Sequence, residues 1–154
     1  MIIRNVNIED FNSILDLQLQ LEDTEIVFDN NLKEHAYDTL EGRDKLKKRI
    51  ENKNNIFLVA EIDNNVVAFI DGNVPDDEWW YKEKIAYLNH LCVDKNYRRQ
   101  GIATELISEF QRKAKGKDAV AIRLLAFPNN VPAVSFYKKN NYSDYSVYYS
   151  KKLN

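Results

Sequence analysis

The spacing of apolar residues changes several times along the chain, and each spacing predicts a different element. A short apolar run at 1–6 predicts a first strand. Asn7 or Asp10 is placed to cap a first helix, whose apolar positions recur close to every 3.6 residues: Phe11, Ile14, Leu15, Leu17, Leu19 and Leu21. Residues 22–39 are polar and irregular, and helical spacing returns at 40–52 through Leu40, Leu46 and Ile50, which predicts a second helix.

Three β-rich runs follow at 55–62, 64–72 and 85–93. The first two are separated by polar residues that tolerate the backbone of a tight hairpin, so the runs predict an antiparallel meander. Both faces of the third run are apolar, which is typical of a central, buried strand. Strict alternation places Ile85, Leu91 and Val93 on one face, and Ala86, Leu88 and Cys92 on the other.

The clearest helix is predicted at 99–116, where one apolar stripe ends at Gly116. A β run at 119–127, a short helix beginning near Pro132 and a β segment at 142–153 complete the order β α α β β β α β α β. The strand, helix and strand between 85 and 127 imply a right-handed crossover and a parallel strand pair. We expect one domain that spans residues 1–154.

Composition places the chain among soluble globular proteins, with 44% apolar, 12% aromatic and 30% charged residues in 154. No apolar run approaches the roughly 18 residues of a membrane span. The N-terminal stretch carries acidic residues and lacks the apolar region of a signal peptide. The sequence therefore predicts a cytoplasmic location and no membrane partner.

Charge and cysteine content exclude two further classes of protein. The 22 basic and 24 acidic residues give a net charge of -2, which argues against nucleic acid as a partner. The basic runs at 43–49 and 95–99 keep a nucleic-acid-binding domain as a disfavoured rival, which would bind polynucleotides with steep salt dependence. Cys92 is the single cysteine, and with His35 and His90 as the only histidines a metal cluster is not expected.

One strand-to-helix corner, VDKNYRRQGIAT at 93–104, combines positive charge with a glycine. The first N–H groups of a helix lack intrahelical partners and the helix dipole is positive there, so such a corner binds phosphate. Gly101 allows close backbone approach, and Arg98 or Arg99 supplies a forked donor. The pattern is neither a Walker loop nor G-x-G-x-x-G, so it indicates a pyrophosphate held in another way.

This corner resembles the acetyl-CoA loop of the GNAT superfamily of N-acetyltransferases, R/Q-x-x-G-x-G/A, which here is RRQGIA at 98–103. A second family motif, N-x-x-A-x-x-F-Y-x-K-x-G-F, is similar to the sequence at 130–142. The matching residues are Asn130, Ala133, Phe136, Tyr137 and Lys139. Asn141 and Tyr142 replace the final Gly-Phe pair, and asparagine tolerates the left-handed conformation that glycine adopts there.

The resemblance implies an α/β fold with a central mixed, mostly antiparallel sheet, a splayed parallel strand pair and about four helices. It implies acetyl-CoA as co-substrate and no metal. The backbone of Leu91, Cys92 and Val93 would pair with the pantetheine arm, and Asn130 would lie near it. The pyrophosphate would be bound by the loop residues Arg98, Arg99, Gln100, Gly101, Ile102, Ala103 and Thr104. The family also has a β-bulge beside the splay, which the sequence alone does not show.

By the same resemblance, an amine attacks the thioester directly and Tyr137 protonates the departing thiolate. The base is open: Asn89 and Tyr87 occupy the positions where many relatives carry Glu or His, and neither is a base near neutral pH. His90 titrates in the useful range, but alternation points it away from the face of Asn89 unless a bulge shifts the phase. We therefore expect Asn89 to orient a water, or the amine to arrive partly deprotonated. Cys92 is interpreted as a buried thiol.

The acceptor is expected to be cationic, because carboxylates and aromatic side chains are concentrated in two segments, 21–38 and 71–84. They include Glu22, Asp23, Glu25, Asp71, Asp76, Asp77, Glu78, Trp79, Trp80 and Tyr81. A small cationic amine, an aminoglycoside, a polyamine or a peptide N-terminus fits. A non-catalytic acyl-CoA-binding regulatory module is the alternative function. Many relatives pair through their C-terminal strands, so the resemblance also makes a homodimer plausible.

Overall fold

A computed structural model describes residues 1–76 and 78–153, so Asp77 and Asn154 lie outside the described residues. The strands are β1 (Ile2–Asn5), β2 (Asn55–Ile62), β3 (Asn65–Asn73), β4 (Ile85–Val93) and β5 (Ala121–Arg123). The helices are α1 (Phe11–Glu25), α2 (Leu40–Glu51), α3 (Ile102–Lys115) and α4 (Val131–Lys139). The predicted helices and the meander are confirmed, and the predicted C-terminal strand is not.

The five strands form one sheet in the order β1-β2-β3-β4-β5. Strands β1 to β4 pair antiparallel, and β5 pairs parallel with β4 after the crossover through α3. This mixed, mostly antiparallel sheet with four helices confirms the predicted fold class. Strand β4 lies between β3 and β5, as its apolar faces predict.

Each face of the sheet is covered by a separate hydrophobic cluster. Helix α3 covers one face with Ile102, Leu106 and Phe110, and α4 packs beside it through Phe136 and Tyr137. Helices α1 and α2 cover the other face, where the cluster includes Ile14, Leu17, Leu46, Ile50, Phe57, Phe69 and Cys92. The amphipathic stripe of each helix therefore sets which side of the sheet it occupies.

A β-bulge in β4 makes part of the predicted alternation wrong. Asp71 on β3 lies opposite His90, whereas Gly72 lies opposite Leu88, so Asn89 is an extra residue in β4. Because of this extra residue, the side chains that follow Asn89 in β4 point to the opposite face of the sheet from the one that strict alternation predicts. Leu91 and Val93 therefore pack on the α3 side together with Leu88, and Cys92 packs on the α1 side.

Strands β4 and β5 separate after three residue pairs, of which Tyr87 and Arg123 form the last. Strand β4 continues to Val93, whereas regular β structure stops at Arg123, so the predicted strand at 119–127 is too long. From Leu88 to Val93, the β5 side of β4 pairs with no strand in the described part of the chain. We call this gap the splay.

The segment at 142–153, predicted as a strand, has no regular secondary structure. Tyr145 contacts Arg123 through a 2.8 Å hydrogen bond from Nη2 to the tyrosine hydroxyl, and Lys138 lies 3.4 Å from Asp144. Beyond Tyr145 the side chains of Val147, Tyr148, Tyr149 and Leu153 are exposed. Among residues 1–76 and 78–153, the β pattern of this segment finds no partner strand, and a strand needs one to be stable.

Candidate active site

Helix α3 begins directly beside the splay with a backbone that a side chain would strain. Gly101 is its N-cap at φ 83°, and Arg99 also has a positive φ of 61°. No atom lies within 4 Å of where a Gly101 Cβ would stand. Within the described ranges, the N–H groups of Gly101, Ile102 and Ala103 find no acceptor, so they remain free to bind an anion.

The Arg98 side chain connects this helix start to the end of β4. Its Nε donates a 3.0 Å hydrogen bond to the carbonyl of Val93. Arg98, Arg99 and Gln100 are exposed, and Thr104 lies one turn into α3, where its N–H donates to the Gly101 carbonyl at 3.0 Å. The structure thus places the loop 98–104 next to Leu91, Cys92 and Val93, along one edge of the splay.

Tyr137 lies on the α4 side of the splay, packed edge-to-face on Phe136 and Tyr142 with centroid distances of 5.4 and 5.6 Å. Burial raises the pKa of its phenol to about 12, with smaller contributions from Tyr142 and from the charge of Glu25. The phenol therefore keeps its proton throughout the neutral range. A protonated hydroxyl in this place suits a general acid.

Asn130 is the N-cap of α4, and its Oδ1 accepts a 3.2 Å hydrogen bond from the Ala133 N–H. This cap accounts for the spacing from Asn130 to Tyr137 in the second motif, because it fixes where α4 begins and hence where Tyr137 lies on the helix. Asn130 is half-buried. Its amide nitrogen is not used by the cap.

Asn89 and Tyr87 offer no basic group to an acceptor amine. Asn89 is the exposed extra residue of the bulge, and its Nδ2 lies 3.5 Å from Asn73 Oδ1. The Tyr87 hydroxyl donates a 2.7 Å hydrogen bond to Glu78, and burial together with that carboxylate raises its pKa to about 12. Neither side chain accepts a proton at neutral pH.

A polar cluster that the sequence did not reveal lies under α1 and α2. His90 Nδ1 is 2.8 Å from Asp71 Oδ1, and Asp71 is fully buried. Arg49 Nη1 lies 3.1 Å from His90 Nδ1 and 3.4 Å from Nε2, and Arg49 Nη2 donates to Gln18 Oε1 at 2.7 Å. Arg49 also lies over the rings of Phe57 and Tyr37. Asp71 is therefore a core residue, and its grouping with the substrate-facing carboxylates is wrong.

Glu25, the last residue of α1, is half-buried on the same side of the sheet. Burial raises the pKa of its carboxyl, and the charge of His90 opposes that rise. Beside it, Glu22, Asp23, Ile26, Glu34 and His35 line a depression of about 230 Å³. This depression contains none of the cofactor-motif residues, so it is separate from the predicted cofactor site.

The other predicted acceptor segment is exposed. The Trp79 and Trp80 side chains are 86% and 71% exposed, and their rings meet edge-to-face at 5.2 Å. Arg123 lies between the rings of Tyr81 and Tyr145, 4.2 and 4.1 Å from their centroids. Asp77, which was predicted to contribute charge here, lies outside the described residues.

The Cys92 thiol is buried, and its Sγ lies 3.2 Å from the Leu17 carbonyl. Burial raises its pKa to about 12, so the nucleophilic thiolate is not formed near neutral pH. The residues at 1–76 and 78–153 contain no group of three His, Cys, Asp or Glu side chains placed to hold a metal. Among those same residues, no helix has both the length and the apolar character to cross a membrane.

Comparison with known proteins identifies the family to which this mixed, splayed sheet belongs. The model of the acetyltransferase (GNAT) family matches residues 18–142. The chain belongs to the GNAT acetyltransferase family. It is 31% identical over 100 residues to an N-alpha-acetyltransferase of Saccharolobus solfataricus, covering 59% of this chain and 58% of that protein. An acetyltransferase of Sodalis glossinidius is 29% identical over 97 residues, covering 63% of each chain.

Solved structures share the fold over nearly the whole chain. A mutant of the BH1408 protein from Bacillus halodurans superposes with a TM-score of 0.89 at 20% identity, covering 100% of both chains. An aminoglycoside acetyltransferase from an uncultured soil sample, in complex with sisomicin, gives 0.73 at 21% identity, covering 99% of this chain and 96% of its own. At these identities the likeness establishes the fold, and function is argued from the site.

Proposed function

We propose that this chain is an acetyl-CoA-dependent N-acetyltransferase that acetylates a primary amine by direct attack in a ternary complex. The observation that carries the proposal is the splay, which opens beside a helix start with free N–H groups and beside the protonated Tyr137 hydroxyl. The whole of residues 1–154 would act as one domain. Its cytoplasmic location stays a prediction from the sequence.

The residues present fit coenzyme A. The free N–H groups of Gly101, Ile102 and Ala103 suit a pyrophosphate, and the open space at Gly101 admits one close to the backbone. The unpaired β5 side of β4 suits the pantetheine amides, which would pair with the backbone of Leu91 and Val93 as an added strand does. Asn130 would border the same arm.

Bound acetyl-CoA would supply the electrophilic thioester carbonyl. The chain would hold the amine and that carbonyl in one slot, which removes much of the entropic cost of their encounter. Tyr137 would donate its proton to the departing sulfur, and its raised pKa keeps that proton available. The bulge at Asn89 supports this arrangement because it interrupts the regular pairing of β4 beside the splay.

A cationic acceptor is favoured by the acidic depression at the end of α1. Three of its five lining residues are carboxylic acids. The related N-alpha-acetyltransferase and the structurally similar aminoglycoside acetyltransferase support two acceptor classes, peptide N-termini and aminoglycosides. Polyamines and other small cationic amines remain in the proposal.

A panel assay tests the function. The protein is incubated with acetyl-CoA and sisomicin, spermidine or a peptide with a free N-terminus, and thiol release is followed. We expect at least one amine to give saturable, enzyme-dependent thiol release. The alternative, a non-catalytic acyl-CoA-binding regulatory module, predicts calorimetric binding of acetyl-CoA with no turnover of any amine.

We also propose that the chain forms a homodimer through its C-terminal segment. The outer edge of β5 is unpaired within the described residues, and the following segment leaves the apolar and aromatic side chains of Val147, Tyr148, Tyr149 and Leu153 exposed. An unpaired edge and an unpaired β-prone segment in each copy allow reciprocal pairing in a two-fold dimer.

A further inference from the structure

The last turn of α1 crosses above the splay. Its position over β4 is fixed by two contacts, from Cys92 Sγ to the Leu17 carbonyl at 3.2 Å and from Gln18 through Arg49 to His90. Just past its C-terminus, Phe28 stacks on Phe127 at 5.9 Å, and Phe127 follows β5 in the chain. The helix end between these contacts therefore spans the gap between β4 and β5.

Glu25 lies in this bridging turn and faces the sheet. It follows Gln18 by seven residues, close to two helical turns, so the two side chains lie on one face. Gln18 is 1% exposed and points at the Arg49 and His90 cluster. Glu25 is half-buried two turns further along α1. Within the described residues, no hydrogen bond or ion pair engages its carboxylate.

Electrostatics agree with this placement. The charge of Glu25 acts on Tyr137 and on Cys92, and the charge of His90 acts on Glu25. Tyr137 packs on the α3 side of the sheet, whereas Glu25 belongs to the α1 side. No strand separates the two, because the splay lies between them. The carboxylate and the phenol thus belong to opposite sides of the sheet at the splay, where the thioester would lie.

His90 is not free to fill the role of a base. Its Nδ1 is engaged by Asp71, and the Arg49 guanidinium lies within 3.4 Å of both ring nitrogens. Instead, the imidazole belongs to a hydrogen-bonded cluster with Asp71 and Arg49. This cluster holds α1, the helix that carries Glu25, through Gln18.

We propose that Glu25 is the general base that deprotonates the acceptor amine, an inference that rests on the proposed acetyltransferase function. The carboxylate takes one proton from the ammonium, directly or through a water. The freed nitrogen lone pair forms the N–C bond, the C–S bond breaks as Tyr137 protonates the sulfur, and the amide nitrogen returns its remaining excess proton to the Tyr137 phenolate. Glu25 then releases its proton to solvent.

The titratable groups whose charge is coupled to that of Glu25 include Glu22 on the same helix, His90 and Cys92 on β4, and Tyr137 on α4. Burial raises the Glu25 pKa, which brings a carboxylate closer to the range in which a general base works best at neutral pH. Tyr137 has its pKa raised as well and stays protonated. One buried site thus keeps an acid protonated and a base available.

The test compares Glu25→Gln with Asp16→Asn, an exposed residue of the same helix. The amine from the sisomicin, spermidine and peptide panel that the wild type acetylates fastest serves as the probe. For Glu25→Gln we expect kcat/KM to fall roughly 100-fold or more near pH 7. The loss should shrink toward pH 10, where the amine arrives neutral, and the calorimetric Kd for acetyl-CoA should stay within about twofold of wild type.

A loss that is equal at every pH, a loss matched by Asp16→Asn, or activity within about threefold of wild type would overturn the role of Glu25. Absence of turnover by the wild type on every amine would instead count against the proposed function. In that case a titration followed by carboxyl-carbon NMR measures the pKa of Glu25 and tests the proposal without any turnover. A Glu25 carboxyl that titrates at the ordinary value of a glutamate, about 4.3, overturns the proposal, whereas one that titrates clearly above it supports the proposal.

Discussion

Tyr137 shows how packing prepares a single residue for chemistry. Its ring lies between Phe136 and Tyr142, and the resulting loss of water raises the pKa of the phenol to about 12. Deprotonation is therefore disfavoured at any physiological pH. The residue therefore holds the proton that the proposed general acid would give to the departing thiolate.

Removing the Tyr137 hydroxyl tests this role. Tyr137→Phe keeps the ring packing, so we expect the folded protein to bind acetyl-CoA with an unchanged Kd while kcat falls about 100-fold. Tyr145→Phe is the matched control, because that hydroxyl bonds Arg123 near the end of β5. Steady-state thiol release and calorimetry provide the two readouts. A kcat within about threefold of wild type would remove Tyr137 from the mechanism.

Asp10 makes a second prediction at the residue scale. Burial alone would raise the pKa of this carboxyl, but hydrogen bonds from Arg4 and from the Asn7 N–H outweigh it and lower the pKa. A lowered folded-state pKa stabilises the protein above the unfolded-state pKa, and the contribution disappears as pH falls through the folded-state value.

Asp10→Asn should therefore destabilise the protein by about 1–3 kcal/mol at pH 7. The difference from wild type should narrow as the pH falls below about 4, where the unfolded-state aspartate becomes protonated. Urea unfolding of both proteins between pH 3 and pH 7 measures this difference. A difference that does not change with pH would show that the ion pair with Arg4 is not its cause.

At the scale of elements, the bulge in β4 depends on a residue of the neighbouring strand. Gly72 lies opposite Leu88 at the register shift, and a Cβ there would collide with the Tyr87 carbonyl and with the Phe110 ring. The close approach of backbone and ring therefore requires glycine. The same contact ties the bulge to the packing of α3.

Gly72→Ala should lower the free energy of unfolding by about 3 kcal/mol, because the collision involves backbone as well as a packed ring. Gly116→Ala is the control, since Gly116 has an ordinary helical backbone and its Cβ would make a contact of 3.4 Å. Urea denaturation of both variants measures the effect. Equal stability of Gly72→Ala and wild type would mean that β3 and β4 pair differently.

The elements that sequence predicts best here are those whose pattern is local. The stripe of α3 and the apolar strands β2 to β4 are set by neighbouring residues, and the structure confirms them. The bulge was not visible because it arises from the contact between Gly72 and Tyr87, which lie far apart in sequence. Alternation therefore assigned Leu91, Val93 and Cys92 to the wrong faces.

The residues of the candidate site also divide into those that could be predicted from sequence and those that could not. The motif residues 98–104 and Tyr137 could be found from sequence because their spacing is fixed within single elements. The position of Glu25 over the splay and the cluster of His90, Asp71 and Arg49 could not, because four different elements bring these residues together. The seven-residue spacing of Gln18 and Glu25 was available, but it gains meaning only once α1 is known to cross the splay.

At the scale of the whole molecule, the sheet is open at β5 and the segment after Tyr145 is unpaired within the described chain. If two copies pair through these parts, light scattering on a sizing column should give twice the 18.1 kDa mass of one chain. Val147→Pro removes a backbone donor and should shift the protein to monomer, whereas Lys151→Ala should leave the dimer intact. A wild-type monomer at every concentration would contradict the dimer.

The central claim is that the splay and the start of α3 together bind coenzyme A. Amide NMR of the ¹⁵N-labelled protein during titration with acetyl-CoA tests it most directly, with Gly101→Val as the control because valine is strained at φ 83°. We predict that the largest shifts of the wild type fall on Gly101, Ile102 and Ala103 and on Leu91 to Val93, and that they vanish in Gly101→Val. Saturable binding with shifts elsewhere, or unchanged shifts in Gly101→Val, would contradict the account.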